Sequence, residues 1–326
     1  MFWCFLTILV SICVDARKLG TDKNVYSDTG SGSIEALYCI FHRTTVYDGY
    51  GSIIGIKTDK QINLKVEHCD FYNCITSKAA AMIGGGAIYF DADYSSVFLD
   101  SNCVKKCYNT MRYDYAPGQF ACIVVSAGYK YHVTLNTISS CSDSASIKIV
   151  APLFLHGGEQ KCLQTNFSRN YAYRMSSVWF HQFDSVDCSY CTMANGISSG
   201  SQAIEVQGTH TANIEYSNIV GNNSPSPGIV RIWSGTLYMS KCIFNDNQNS
   251  LFYRYGGVFT VSNSYINHPS QSLGNAAHSS SGNQYIITKT YNDFHNVICG
   301  STLFHSLEDR RHPISLFFVV SLILFL

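Results

Sequence analysis

From about residue 35 to residue 270 the chain alternates apolar and polar positions in short runs, with no convincing stretch of helical periodicity. Ile62, Leu64 and Val66 form one such run; Val97 and Leu99, Val133 and Leu135, and Leu237 and Met239 form others. Between them lie short apolar segments: Ala87-Ile88-Tyr89-Phe90, Cys122-Ile123-Val124-Val125, Ile147-Lys148-Ile149-Val150, Val178-Trp179-Phe180, Ala203-Ile204-Glu205-Val206 and Ile229-Val230-Arg231-Ile232. Period two over a few residues, rich in β-branched and aromatic side chains, predicts strands. The low proline content agrees, because proline cannot donate to a strand ladder.

A second pattern overlies the first. A Cys, Asn, Ser or Thr is followed after one residue by a bulky apolar residue, then after two more often by Asn or Cys. The copies begin at Cys39, Cys69, Asn102, Asn136, Thr165, Cys191, Ser217, Cys242 and Asn263. Their apolar positions are Phe41, Phe71, Val104, Ile138, Phe167, Met193, Ile219, Phe244 and Tyr265, with gaps of 30, 33, 34, 29, 26, 26, 25 and 21 residues. A recurrence of this length implies one supersecondary unit per repeat, stable only when its neighbours cover it. Two or three short strands per unit predict an all-β, single-stranded parallel β-helix of about nine coils. At the strand spacing of about 4.8 Å, nine coils make a rod of roughly 40 Å. A propeller blade needs about 40–45 residues, too many for these gaps, and a sandwich gives no reason for a fixed short unit.

This reading divides the chain into a signal peptide at 1–16, an N-terminal cap at 17–34, the repeats at 35–270, a final coil and spacer at 271–311, and a hydrophobic tail at 312–326. The apolar run from Met1 to Val14 ends in Val14-Asp15-Ala16, the shape of a cleavable secretory signal. The tail from Ile314 to Leu326 is short for a bilayer span and follows Arg310, Arg311 and His312. Small residues at Gly300-Ser301-Thr302, a spacer and a terminal apolar run suit a lipid-anchor signal; a retained membrane segment is the competing reading. Either places the mature chain at the cell surface, anchored to a membrane.

The formal net charge is zero and only 13% of residues are charged, against 46% hydrophobic. Charge neutrality argues against nucleic acid as a partner, and the apolar content argues against disorder. In stacked coils, equivalent positions lie directly above one another, so charged positions would form like-charge columns. Asn, Ser, Thr, Tyr and Cys form neutral ladders instead, and an Asn amide can donate one way and accept the other.

Gly85-Gly86-Ala87-Ile88 resembles the GGAI motif of the polymorphic outer membrane protein repeat. Phe167-Ser168-Arg169-Asn170 and Phe244-Asn245-Asp246-Asn247 resemble its FxxN motif, and Phe71 holds the same apolar place. Gly256-Gly257-Val258-Phe259 reads as a weaker copy of the first motif. The layout is similar to right-handed, pectin-lyase-like β-helix surface proteins of parasitic protists, over roughly residues 35 to 270. The resemblance implies a right-handed coil and Gly85, Gly86, Phe71, Phe167, Asn170, Phe244 and Asn247 as structural motif residues. Unlike the bacterial members, this chain carries no run of amphipathic strands for a translocating barrel.

Losing Cys4 and Cys13 with the signal leaves 12 of 14 cysteines, an even set that suggests disulfides in a secreted protein. The repeat register puts Cys39 beside Cys69, and Cys107 between Cys74 and Cys141. Cα atoms about 4.8 Å apart fall inside the disulfide window, so these pairs are bridge candidates; a column of reduced, buried thiols is the alternative. Asn166 and Asn222 stand in glycosylation sequons. Cys103-x3-Cys107 and Cys188-x2-Cys191 have ligand-like spacing but no second pair to complete a zinc finger, so no metal or other cofactor is expected.

Relatives of pectinases require catalytic carboxylates, and glycoside hydrolysis generally uses two. Neither an Asp-Asp pair nor Gly-His-Gly occurs, and Arg231-Ile232 is followed by Trp233 instead of lysine. Asp91 and Asp93 read as solvated turn residues, Asp184 and Asp187 as strand-edge residues. His156, His181 and His210 have no nucleophile motif beside them. No catalytic residues are therefore assigned. The expected function is a non-enzymatic extracellular rod for adhesion or cell-coat structure, with surface glycans or proteins as partners. The alternative is a carbohydrate-active enzyme, a polysaccharide lyase or hydrolase with its site in the long coils of residues 74 to 138.

Overall fold

The computed structural model describes residues 13–15, 26–27, 32–47, 50–77, 84–110, 116–142, 149–200, 202–225, 228–267, 273–274 and 282–283. The proposed signal up to residue 12, the spacer and the C-terminal tail lie outside them. The recurrent hexapeptide forms a column of three-residue strands. Ile40–His42, Asp70–Tyr72, Cys103–Lys105, Thr137–Ser139, Asn166–Ser168, Thr192–Ala194, Asn218–Val220, Ile243–Asn245 and Tyr265–Asn267 stack in parallel, each paired with the copy from the next repeat. This is the short face. Cys13–Asp15 adds one more strand, paired with Ile40–His42; cleavage before Arg17 would remove it.

Two longer faces complete each rung. The first face includes Ile54–Thr58, Ile88–Ala92, Ala116–Val124, Ile149–His156 and Val178–His181. The second includes Gly32–Leu37, Ile62–Glu67, Val97–Asp100, Lys130–Thr134, Glu159–Leu163 and Ser185–Ser189. Farther along, Ile204–Glu215 and Val230–Ser240 each run through both faces as one strand. A narrow fourth edge is built from Thr45–Tyr47, Ile75–Ser77 and Tyr108–Asn109, then Tyr171–Ala172 and Ile197–Ser198. Every pairing is parallel and no helix is present among the described residues, so the chain is an all-β parallel β-solenoid. The solenoid makes about seven turns, against the nine coils that the repeat count predicts.

Left-handed backbone at two fixed places makes the corners. Before each short strand stands Tyr38, His68, Ser101, Leu135, Gln164, Tyr190, Tyr216, Lys241 or Asn263, all with φ between 49 and 58° except Gln164 at 47°. After it stands Arg43, Asn73, Lys106, Ser140, Arg169, Asn195, Gly221 or Asp246, also at positive φ. Such backbone costs a side-chain-bearing residue about 1–2 kcal/mol, and stacking on identical corners above and below offsets it. The corner N–H groups bond to the next rung, as in His68 to the Asp100 carbonyl at 3.0 Å and Asn73 to the Lys105 carbonyl at 3.0 Å.

Beside these corners run the two predicted polar columns. One is Cys39, Cys69, Asn102, Asn136, Thr165, Cys191, Ser217, Cys242 and Ser264. The other is Thr44, Cys74, Cys107, Cys141, Asn170, Gly196, Asn222 and Asn247. A side chain in one rung accepts the corner N–H of the previous rung and donates to a carbonyl there. Asn102 accepts from Cys69 N at 3.0 Å and donates to Val66 O at 2.9 Å; Asn170 serves Cys141 N and Ile138 O, at 2.9 and 3.0 Å. Buried backbone groups at a corner cannot reach water, so each needs such a partner.

The thiols take the same part. Cys69 donates to Ala36 O at 3.2 Å, and Cys74 and Cys107 donate to Phe41 O and Phe71 O at 3.6 Å. Cys39, Cys69, Cys74, Cys107 and Cys141 stand as free, buried thiols in the predicted columns, the reduced one of the two readings.

The core lies inside the coil. Phe71 stacks on Phe41 with ring centres 5.0 Å apart and meets Phe120 edge-on at 5.3 Å. Phe252 bridges Phe244 and Phe259 at 5.0 and 5.3 Å. Phe71, Phe167 and Phe244 are buried in it as the motif predicts. Gly85 and Gly86 are required by close approach: an added Cβ would meet the backbone of Ile88 or Gln119. Gly51 and Gly118 hold the Gly85 place in adjacent rungs, each three residues before a strand residue paired with Ile88.

Two parts of the sequence register are corrected. Phe244 pairs with Ile266, not Tyr265, which pairs with Ile243; Ser264, not Asn263, holds the ladder place and accepts Cys242 N at 3.1 Å. Two adjacent apolar residues made the slip, and the left-handed Asn263 marks the true corner. Gly256-Gly257 is not a second copy of Gly85-Gly86. It precedes Val258–Ser262 on the second face, whereas Gly85-Gly86 precedes Ile88–Ala92 on the first.

Candidate functional site

The second set of corners bends the chain inward and leaves a groove of about 490 Å³ along the solenoid. Its wall is the left-handed series Asn73, Lys106, Ser140, Arg169 and Asn195, one residue from each of five successive rungs. Tyr108, Tyr171 and Ile197, each two residues beyond a corner residue, line it as well, together with Ser142 and Asn170. Five rungs at the strand spacing span about 19 Å. The described lining holds two cations and no carboxylate. Lys106 Nζ lies 3.1 Å from the Tyr72 hydroxyl and 5.4 Å from its ring centre, which fixes the ammonium at the groove rim.

A second concentration of chemistry lies on the outward side of the first face. Register aligns Tyr89, Cys122, Phe154, Trp179, Glu205 and Arg231 in one column, and Asp91, Val124, His156, His181 and Gln207 in the next. Tyr89, Cys122, Phe154 and Trp179 are buried with Val150, Ala151 and Met175 in a small core outside the coil. The Trp179 indole N–H is buried without a hydrogen-bond partner among the described residues. His156 and His181 approach through their Nδ1 atoms at 2.7 Å. Burial and the neighbouring His156 bring His181 down to about 4; burial lowers His156 as well, with Asp91 opposing. One neutral ring therefore donates its Nδ1 proton to the other.

Glu205 is almost fully buried, accepts from the Gln202 amide and pairs with Arg231 at 3.5 Å. Burial raises its carboxyl, against the pull of Arg231 and Arg174. The Arg231 guanidinium lies 4.2 Å from the Trp233 ring centre, and Trp233 stacks on Tyr255 at 4.2 Å. A shift in strand register between Val206/Gln207 and their partners Ile232/Ser234 leaves Trp233 unpaired on its strand. Trp233 and Tyr255 are exposed, forming an aromatic shelf beside the ion pair.

The acidic candidates do not converge. Asp91 accepts from the Tyr89 hydroxyl at 2.9 Å, Asp93 from Ser126 at 2.5 Å, Asp184 from Gly128 N at 2.6 Å, and Asp187 from Ser189 at 2.7 Å. His210 contacts the Phe183 carbonyl at 3.0 Å. Asn222 is fully buried: its Nδ2 donates to Met193 O at 2.8 Å and its Oδ1 accepts Gly196 N at 3.0 Å. A glycan on that nitrogen would break the ladder. Asn166 is half-buried on the short face, with its Oδ1 buried.

Neither the groove nor the Glu205–Arg231 pair is visible as a motif. The groove residues are spaced by the rung length and share only a backbone conformation; the ion pair depends on pairing two first-face strands. No family model, curated protein or solved structure matches the chain. Fold and surface together define the class: a parallel β-solenoid with buried polar ladders and a cationic corner groove.

Proposed function

We propose that this chain is a non-enzymatic surface protein: a right-handed, pectin-lyase-like β-helix, secreted, anchored to the membrane through its C-terminal tail, and used for adhesion or as part of a cell coat. Right-handed connection of parallel strands is the strongly preferred hand, which supports the coil direction. The observation that carries the function is the groove, lined by Lys106 and Arg169, by Tyr108 and Tyr171, and by the amides of Asn73, Asn170 and Asn195. An extended acidic oligosaccharide suits it: aromatic faces take the sugar rings, and cations take the carboxylates or sulfates.

A glycan array with the purified chain tests this. Binding to uronate-containing or sulfated oligosaccharides is expected, weakening with added salt. The double change Lys106→Gln and Arg169→Gln should reduce it at least tenfold. Absence of glycan binding overturns the ligand class. Release of reducing ends from the same oligosaccharides overturns the non-enzymatic reading in favour of a lyase or hydrolase. Mass spectrometry of the mature C-terminus separates the anchors: loss of residues after about Gly300 supports lipid processing, and an intact Leu326 supports a membrane tail.

A further inference from the structure

Cys188 and Cys191 are three residues apart, with the left-handed Tyr190 between them at φ 58°. That corner turns the chain from the second face to the short face, so both side chains point into the same angle of the coil. Cys162 reaches that angle from the previous rung, because Cys162 and Cys188 are in-register partners. The three Sγ atoms lie within 4.8 Å of one another, with Cys162 and Cys191 at 3.8 Å. All three residues are fully buried. Val133 and Ile214 flank Cys162 and Cys188 along the column, and Met193 lies two residues beyond Cys191.

We infer that Cys162, Cys188 and Cys191 form a three-coordinate site for a thiophilic d10 cation of the Cu⁺ type. A metal–sulfur bond of about 2.3 Å in a trigonal plane puts sulfurs about 4.0 Å apart, and the Cys162–Cys191 separation already matches. An all-sulfur, water-free cage selects soft ions over magnesium or calcium. Zinc ordinarily takes a fourth ligand, and among the described residues this cluster offers three. Each thiol that binds the ion as a thiolate releases its proton to solvent, with no change of oxidation state.

The test is an anaerobic titration of the purified chain with Cu⁺ delivered from a competing chelator. One ion per chain is expected, with X-ray absorption showing three sulfurs at about 2.3 Å and no lighter ligand. Cys162→Ser or Cys188→Ser should weaken binding at least tenfold. Cys242→Ser, two ladder places from Cys191 and outside the trio, should leave it unchanged. Circular dichroism checks that each variant keeps its β signal; if a trio variant does not fold, the wild-type ligand count decides. No binding, a nitrogen or oxygen ligand, preferential four-coordinate Zn²⁺ binding, or a Cys162–Cys191 disulfide in the isolated protein overturns the site.

Discussion

Asn136 completes the backbone of Asn102: its Oδ1 accepts the Asn102 N–H at 3.0 Å, while its Nδ2 donates to Leu99 O at 2.8 Å. One amide thereby supplies partners to two corner groups of the rung before it. Asn136→Ala leaves both without them and should destabilise the fold by about 2–6 kcal/mol, at 1–3 kcal/mol per orphaned buried group. Asn136→Ser should recover part of the loss, since Ser217 and Ser264 fill that place elsewhere. Urea unfolding of the two variants measures the difference, and equal midpoints for Ala and wild type would refute the ladder's importance.

Phe71 lies between Phe41 and Phe120 in the coil interior. Phe71→Ala should cost about 3–5 kcal/mol, the range for emptying a packed aromatic site. Phe71→Leu should cost less because it refills most of the volume. Thermal unfolding followed by circular dichroism ranks the three.

The His156–His181 pair makes stability fall on mild acidification. His181 titrates near 4 in the folded chain and near 6.5 unfolded. Below about 6.5 the unfolded chain takes up a proton that the folded chain refuses, so its contribution is present at neutral pH. It is lost progressively as pH falls to about 4. His181→Gln, the residue found at the paired position Gln207, should flatten this window in pH-dependent urea melts. A variant curve parallel to wild type across that window would remove the pair as the cause.

Glu205 and Arg231 are worth more to each other than to the fold. Arg231→Met leaves the buried Glu205 without its ion-pair partner and should cost about 3–5 kcal/mol. Adding Glu205→Gln should restore much of that, because a neutral amide needs no counter-charge. A double-mutant cycle gives the coupling, and additive losses would show the pair to be independent.

Much of this architecture was legible in the primary structure. The short strands, both ladder columns and the aromatic core follow from period-two runs and a recurrence with a fixed internal order. The left-handed corners were not legible, since Tyr38, Leu135 and Lys241 have no intrinsic preference for that backbone; stacking imposes it. Position was also hidden wherever two candidates are chemically alike, as with Tyr265 beside Ile266. The three-thiol cluster needed pairing between strands: Cys188-x2-Cys191 alone names two ligands, and Cys162 joins them only through rung register.

Rung length also has a direction. From the widest interval, Val104 to Ile138, it falls from 34 residues to 22 between Phe244 and Ile266. The three-residue strand of the short face is nonetheless kept at every rung, so the repeat absorbs changes of length between its strands and not within the column that carries the ladders.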